Sequence, residues 1–188
     1  MPRNKEFDKD EIVDKAINLF WEKGYNTCSM QDIVDGLGLS RSSIYDTFKD
    51  KKNLFLLALK AYTDKNISLT TNMIENSENI KETIREIFKL ILDSEHNKGC
   101  FIVNSTVEFS KEDPEILEIL SNNKKEVEKL FEMAIKKGQD LKQISNKNTP
   151  NSLAMYLYTS FSGLQVISKN NTKKEDLEVI IDIILSNL

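Results

Sequence analysis

Ser29 and Ser40 each open a short run of helical periodicity, and Gly38 stands between the two runs. Ser29 can cap a helix that carries Asp32 at its third position, with Met30, Ile33, Val34 and Leu37 as its buried stripe. Gly38 allows a left-handed C-terminal turn, and Ser40 caps a following helix that turns Ile44 and Phe48 inward. Helices of only about two turns are unstable in isolation, because nucleation costs more than so few hydrogen bonds return. The pair must be held at a fixed corner by a larger helical structure, which confines the chain to folds that display a short helix pair as a head.

The remaining sequence supplies that support as further helix. A first helix is expected over about 9–23, where Asp8 and Glu11 form a capping box and Ile12, Val13, Ala16, Ile17 and Phe20 recur at helical spacing before Gly24. A long fourth helix starts at Asp50 and continues past Leu54, Phe55, Ala58, Ala61 and Tyr62 toward Met73. Beyond the polar break "ENSEN", helices are expected over about 80–94, 100–109, 114–137, 150–168 and 173–187. Pro114 and Pro150 follow Asp113 and Thr149, the cap-then-proline order of a helix start. No segment alternates as a strand does. The expected fold class is all-α with about nine helices: a three-helix head over 1–50, its helix pair over 29–48, joined by the long helix to a body over 51–188.

Several functional classes lose ground on composition. The cysteines, Cys28 and Cys100, are far apart and at no metal spacing, and His96 is the one histidine, so neither a metal site nor a cofactor is expected. A phosphate-binding glycine loop, a nucleophile elbow and a histidine cluster are all missing, which argues against an enzyme. No apolar run is long enough to cross a membrane, and "MPRNKEFDKDE" lacks the apolar stretch of a secretory signal; no membrane partner and a cytoplasmic location are expected.

The formal net charge is −4, yet Arg41, Lys49, Lys51, Lys52, Lys60 and Lys65 outnumber Asp46, Asp50 and Asp64 between residues 40 and 65. A local basic face on an acidic protein suits a module that meets phosphate at one end only. Two helices around a glycine-containing turn form a helix-turn-helix, whose second helix enters the major groove of DNA with its first residues against base edges. In that geometry Ser40, Arg41, Ser42 and Ser43 face the bases, with Arg41 suited to guanine or phosphate. Tyr45 can donate to phosphate, Lys49, Lys51 and Lys52 flank the start of the fourth helix, and Ser29 and Gln31 approach from the other side. Lys60 and Lys65 are read as solvated. Arg3 and Lys5 fit a minor-groove arm less well than a frayed terminus.

The stretch "GYNTCSMQDIVDGLGLSRSSIYDTFKDKKNLF" resembles the TetR-type bacterial transcriptional repressors, and the likeness spans residues 9 to about 56. The resemblance implies that Ser40 to Tyr45 form the reading surface, that Tyr45 and Lys51 touch phosphate, and that Thr27 to Ser29 form a phosphate-facing entry to the second helix. Departures are Cys28 where threonine is usual, Ser42 where glycine is usual, and Val34 with Leu37 where alanine is usual. The family also implies a double-stranded DNA operator as partner, a homodimer, and a body cavity where a small-molecule effector, not identified by the resemblance, separates the two heads.

Residues for those roles can be nominated. Cys100, Phe101, Asn104, Glu108 and Phe109, with Met133, Tyr156 and Tyr158 from later helices, are candidate cavity groups, although aromatic residues and methionines at helical spacing serve cores as well. An inward Glu108 would suit a cationic ligand. Leu153, Leu157, Phe161 and Leu164 form one stripe, and Leu177, Ile180, Ile181 and Ile184 another; both fit either an intrachain core or a four-helix dimer contact, and the resemblance favours the contact. Gly163 would permit close approach. Trp21 reads as core or as an edge between head and body. Two alternatives remain: a helical protein-interaction module using its lysine face, and a redox-responsive regulator in which Cys28, near a helix start, has a lowered pKa and acts with Cys100.

Overall fold

The computed structural model describes residues 7–91, 98–109, 113–170 and 172–188; Arg3, Lys5 and His96 lie outside the described residues. Among the described residues there are nine α-helices and no strand. In chain order they are α1 (Lys9–Lys23), α2 (Met30–Leu37), α3 (Arg41–Phe48), α4 (Lys51–Glu75), α5 (Ile80–Lys89), α6 (Phe101–Glu108), α7 (Pro114–Asp140), α8 (Pro150–Ile167) and α9 (Lys174–Ser186). A short 3-10 turn, Ser168–Asn170, follows α8.

Helix starts follow the caps read from the sequence. Asp8, Ser29, Ser40, Asp50, Asp113 and Thr149 each turn a side-chain oxygen onto a first-turn amide, and Pro114 and Pro150 take the first helical position. Two ends differ from expectation. The α5 helix stops at Lys89, where the Ile91 amide bonds the Phe88 carbonyl at 3.1 Å and tightens the chain into a turn. The α7 helix runs through Gly138 to Asp140. A Cβ at Gly138 would sit 2.6 Å from Ile144 Cδ1, so this glycine lets the following loop pack against the helix and does not end it.

Two apolar cores share the long α4. The first gathers α1, α2 and α3 around Leu54, Phe55, Ala58 and Leu59 of α4, and adds Phe101 and Ile102 from α6, Phe109 just after it, and Ile116 and Leu120 from α7. The second joins Ile74 with α5, the later part of α7, α8 and α9. Head and body are therefore stitched together by packing well beyond residue 50. Phe55 lies 5.1 Å from the Phe20 ring and 5.7 Å from Phe101, both edge-on, so a single α4 side chain contacts α1 and α6.

The apolar stripes of α8 and α9 fall inside the chain. Leu153, Leu157, Leu164, Leu177, Ile181 and Ile184 are all buried in the second core, Leu157 completely. Phe161 stacks edge-on with Phe88 at 5.2 Å and Phe131 at 5.9 Å, and Ile180 packs against the same core. Neighbouring helices of the same chain thus cover most of both stripes, with Phe161 and Ile180 left partly buried. The opposite faces are open: Met155, Val166, Val179 and Ile183 are each about half exposed, at 55, 46, 57 and 57%. Gly163 adjoins open space, with no atom within 4 Å of where its Cβ would stand.

Candidate nucleic-acid interface and body cavity

A reciprocal cap opens α2, and Gly38 and Ser40 fix its corner with α3. Ser29 Oγ accepts the Asp32 amide at 3.1 Å, while the Asp32 carboxylate accepts the Ser29 amide at 2.8 Å. Lys23, at the end of α1, adds an ion pair to Asp32. Its hydrogen bond, followed by those from Ser29, holds the Asp32 carboxyl well below the usual carboxylate range. Gly38 closes α2 at φ 66° and ψ 27°, its amide on the Val34 carbonyl at 3.0 Å. That left-handed turn reverses the chain within two residues so that Ser40 caps α3, its Oγ accepting the Ser43 amide at 3.2 Å.

The α3 helix buries Ile44 and Phe48 and presents Ser40, Arg41, Ser42, Tyr45, Asp46 and Lys49 outward. Ser42 Oγ and Ser43 Oγ lie 3.0 and 2.9 Å from Ser40 Oγ, a compact hydroxyl cluster on the first turn. The Arg41 guanidinium lies 5.9 Å from the centre of the Tyr45 ring, which orients the fork on the exposed side. Lys49 ends the helix at φ 70° and ψ −55°, and the Asp50 amide bonds back to the Phe48 carbonyl at 2.9 Å. This is a γ-turn with positive φ, an uncommon place for a residue with a Cβ. Its effect is to swing the chain directly from α3 into α4.

Residues around the corner divide into outward and engaged groups. Ser29 and Gln31 are exposed, with the Gln31 amide donating to Asp35 at 2.9 Å. The Lys51 ammonium lies 4.4 Å from the centre of the Tyr25 ring, beside the turn between α1 and α2. Two of the residues expected at phosphate are engaged within the chain. Thr27 spends its hydroxyl proton on the Lys23 carbonyl, finishing α1. Lys52 pairs with Asp113 at 2.8 Å and with Glu115, joining α4 to the start of α7. Those two carboxylates raise the Lys52 pKa, so its charge is matched within the chain. The α4 start is also occupied, since Asp50 accepts the Asn53 amide at 2.7 Å.

Further polar contacts tie head to body. Glu108, at the end of α6, accepts the backbone amides of Tyr25 at 3.0 Å and Asn26 at 2.6 Å. Trp21 Nε1 donates to the Lys98 carbonyl at 3.2 Å. Glu108 thus finds its partners in the α1–α2 turn, and the expectation of an inward carboxylate awaiting a cation is overturned. Nothing local in the sequence marks this contact, because it joins positions far apart in the chain.

A cavity of about 580 Å³ lies behind this latch, bounded by α1, α4, α5, α6, α7 and α8. Of the nominated residues it is lined by Cys100 and Tyr158, and also by Phe161 from the supposed dimer stripe. Phe101 and Phe109 are buried in the first core against Phe55. Asn104 bridges the Lys98 carbonyl, at 2.9 Å, and the Lys169 ammonium, at 3.1 Å. Met133 is exposed, and Tyr156 borders a surface recess with Asn148 and Asn187. Trp21, Tyr62, Asn66 and Gln165 also line it, at positions whose spacing suits a core equally and so carries no separate signal in the sequence.

Both cysteines are free thiols. Burial pushes each pKa up, so the lowered value anticipated for Cys28 is reversed: its side chain is fully buried in the first core, where desolvation disfavours the thiolate. Among the described residues no group of three histidine, cysteine or acidic side chains is placed to hold a metal. No helix among them is long and apolar enough to cross a membrane.

Comparison with known proteins places these features in a family. The profile of bacterial regulatory proteins of the tetR family matches residues 12–58, and that of the tetracyclin repressor-like C-terminal domain matches 77–184. The chain is 34% identical over 193 aligned positions to YezE of Bacillus subtilis, described as an uncharacterized HTH-type transcriptional regulator, with both chains covered in full. It is 24% identical to the HTH-type transcriptional repressor ComR of Escherichia coli, over 93% of this chain and 86% of that one. Among solved structures, the TetR family regulator CifR, a cysteine mutant complexed with operator DNA, superposes with a TM-score of 0.84 at 22% identity, covering 98% of both chains. A TetR regulator from Legionella pneumophila gives the same score at 21% identity, over 99% of this chain and 100% of that one. With a capped helix pair matched at one end and the helical body matched at the other, the chain belongs to the TetR family of DNA-binding transcriptional regulators and is not an enzyme.

Proposed function

We propose that this regulator is a repressor that acts as a homodimer and leaves a partly palindromic operator when a small effector fills the body cavity. The observation that carries the reading is the position of that cavity. Its walls include Ile17 and Trp21 of α1 and Tyr62 and Asn66 of α4, the two helices that carry the head. A ligand there touches the elements that set head orientation. It can favour release only by binding the DNA-incompetent arrangement more tightly than the competent one.

Two copies would meet through the outward faces of α8 and α9, with Met155, Gly163 and Val166 on one helix and Val179 and Ile183 on the other. That contact sets two α3 helices about 34 Å apart, one turn of duplex, or near a multiple of it. On each half-site Arg41, Ser42 and Ser43 face base edges, while Tyr45, Lys49 and Lys51 face phosphate. Similar proteins named as repressors, such as ComR, support the direction of regulation.

Electrophoretic mobility shift with the DNA upstream of the protein's own coding region, across a salt series, tests this reading. Sequence-specific binding with a steep salt slope is expected. Arg41→Ala should narrow the gap between operator and unrelated DNA, whereas Lys51→Ala should weaken both alike. Weak binding indifferent to sequence would instead favour a protein-interaction module.

A further inference from the structure

The cavity carries chemical information about its occupant. Its inner wall is apolar over Ile87, Ile102, Val127, Phe131 and Phe161. The charged groups among the described lining residues are Asp14 and Lys65, and both are exposed to solvent, which places them at the rim. Most inward polar groups already have partners. Asn66 donates to the Tyr62 carbonyl at 2.8 Å, Thr63 to the Lys60 carbonyl at 2.8 Å, and the Tyr62 hydroxyl lies 3.7 Å from Cys100 Sγ.

Gln165 is different. It is 8% exposed, it lines the cavity, and its side-chain amide makes no hydrogen bond to the described residues. Its backbone carbonyl accepts the Ser168 hydroxyl at 3.0 Å. Gly99 presses against the same place: a Cβ there would stand 2.9 Å from the Gln165 carbonyl oxygen. Gly99 therefore packs directly against the Gln165 backbone on the cavity wall. The side-chain amide nitrogen and oxygen of Gln165 keep some contact with solvent and are free to pair with an occupant of the cavity.

We infer that the cavity takes an uncharged amphiphile, its apolar body against α5, α7 and α8 and its carbonyl or amide head paired with the side chain of Gln165. Among the described lining residues, a carboxylate or ammonium head carried that deep would meet no opposite charge. An amide can both donate to and accept from Gln165, satisfying both partners. The inference rests on the cavity being the effector site, and it replaces the cationic ligand that Glu108 suggested.

Three probes with one tail separate the possibilities: decanamide, decanoate and decyltrimethylammonium. Trp21 is the sole tryptophan and lines the cavity, so its fluorescence reports occupancy without a label. Saturable binding of decanamide is expected, with decanoate and decyltrimethylammonium weaker by about tenfold or more. Gln165→Leu should weaken decanamide by about tenfold, the scale of one buried hydrogen-bonded pair. Gln165→Glu, the second variant, should turn the preference toward decyltrimethylammonium. Equal or tighter binding of either ion, no saturable binding of decanamide, or a Gln165→Glu protein with unchanged preference overturns the inference. Polarisation of labelled operator DNA, recorded in the same titration, distinguishes the two readings. Gln165-dependent binding without DNA release leaves the ligand class standing and removes the effector role.

Discussion

Lys49 holds the turn between α3 and α4 at φ 70°, a region that glycine enters without steric cost. Lys49→Gly should therefore raise stability by about 1 kcal/mol, measured by urea denaturation, since strained backbone of this kind costs roughly 1–3 kcal/mol. The same change removes a cation beside the reading helix and should weaken binding to all DNA sequences alike, so the two readouts move in opposite directions. Lys49→Met removes the charge and keeps the strain; a matching gain in stability there would count against the backbone account. Asp32 gives a pH dependence. Its folded pKa lies below the unfolded value of about 3.9, so its contribution is fully present above that pH and fades as pH falls through the acid range. The stability gap between wild type and Asp32→Asn should be widest near neutrality and should begin to narrow only below about pH 4, falling further as the pH drops. A gap unchanged from neutral to acid pH would show that the capping box contributes without its charge. Both residues sit in local turns, and the capping box of Asp32 was legible from spacing alone. The positive φ of Lys49 was not, because a lysine at that position carries no sign of the backbone it adopts.

At the scale of elements, caps and apolar periodicity were enough to locate the helices, and glycine was the ambiguous signal. Gly38 ends α2 because the chain reverses there, whereas Gly138 lies inside α7 because Ile144 packs onto it. Only the neighbour across space tells the two apart. The α6 helix makes the same point for function. It is short, its Phe101 and Ile102 are buried in the first core, and its Glu108 carboxylate holds the turn between α1 and α2. Glu108→Gln leaves one oxygen where two accepted, and should cost about 1–2 kcal/mol. Hydrogen exchange should find the Tyr25 and Asn26 amides less protected in the variant while amides of α9 are unaffected. Uniform loss of protection across the chain would argue for general destabilisation and against a local latch.

At the scale of the whole molecule, the open faces of α8 and α9 make a prediction that the buried stripes do not. Ile183→Glu places a charge on the outward face and should shift the protein toward monomer in analytical ultracentrifugation, with operator affinity falling in parallel. Leu157→Ala should instead lower the unfolding midpoint by removing core volume, with the folded protein still dimeric. If Ile183→Glu stayed dimeric at low micromolar concentration, the contact would lie on another face. The all-helical class, the positions of the caps and the helix-turn-helix corner were determined by the sequence itself. Each depends on hydrogen bonds and side-chain spacing within a few residues, and those survive in a one-dimensional pattern. What only the tertiary structure decided was which apolar stripe faces inward, which cation is matched by Asp113 and Glu115, where Glu108 finds its partners, and that Gln165 lines a cavity. Those outcomes depend on packing between helices far apart in the chain. A leucine at helical spacing has the same period whether a neighbouring helix or a second subunit covers it.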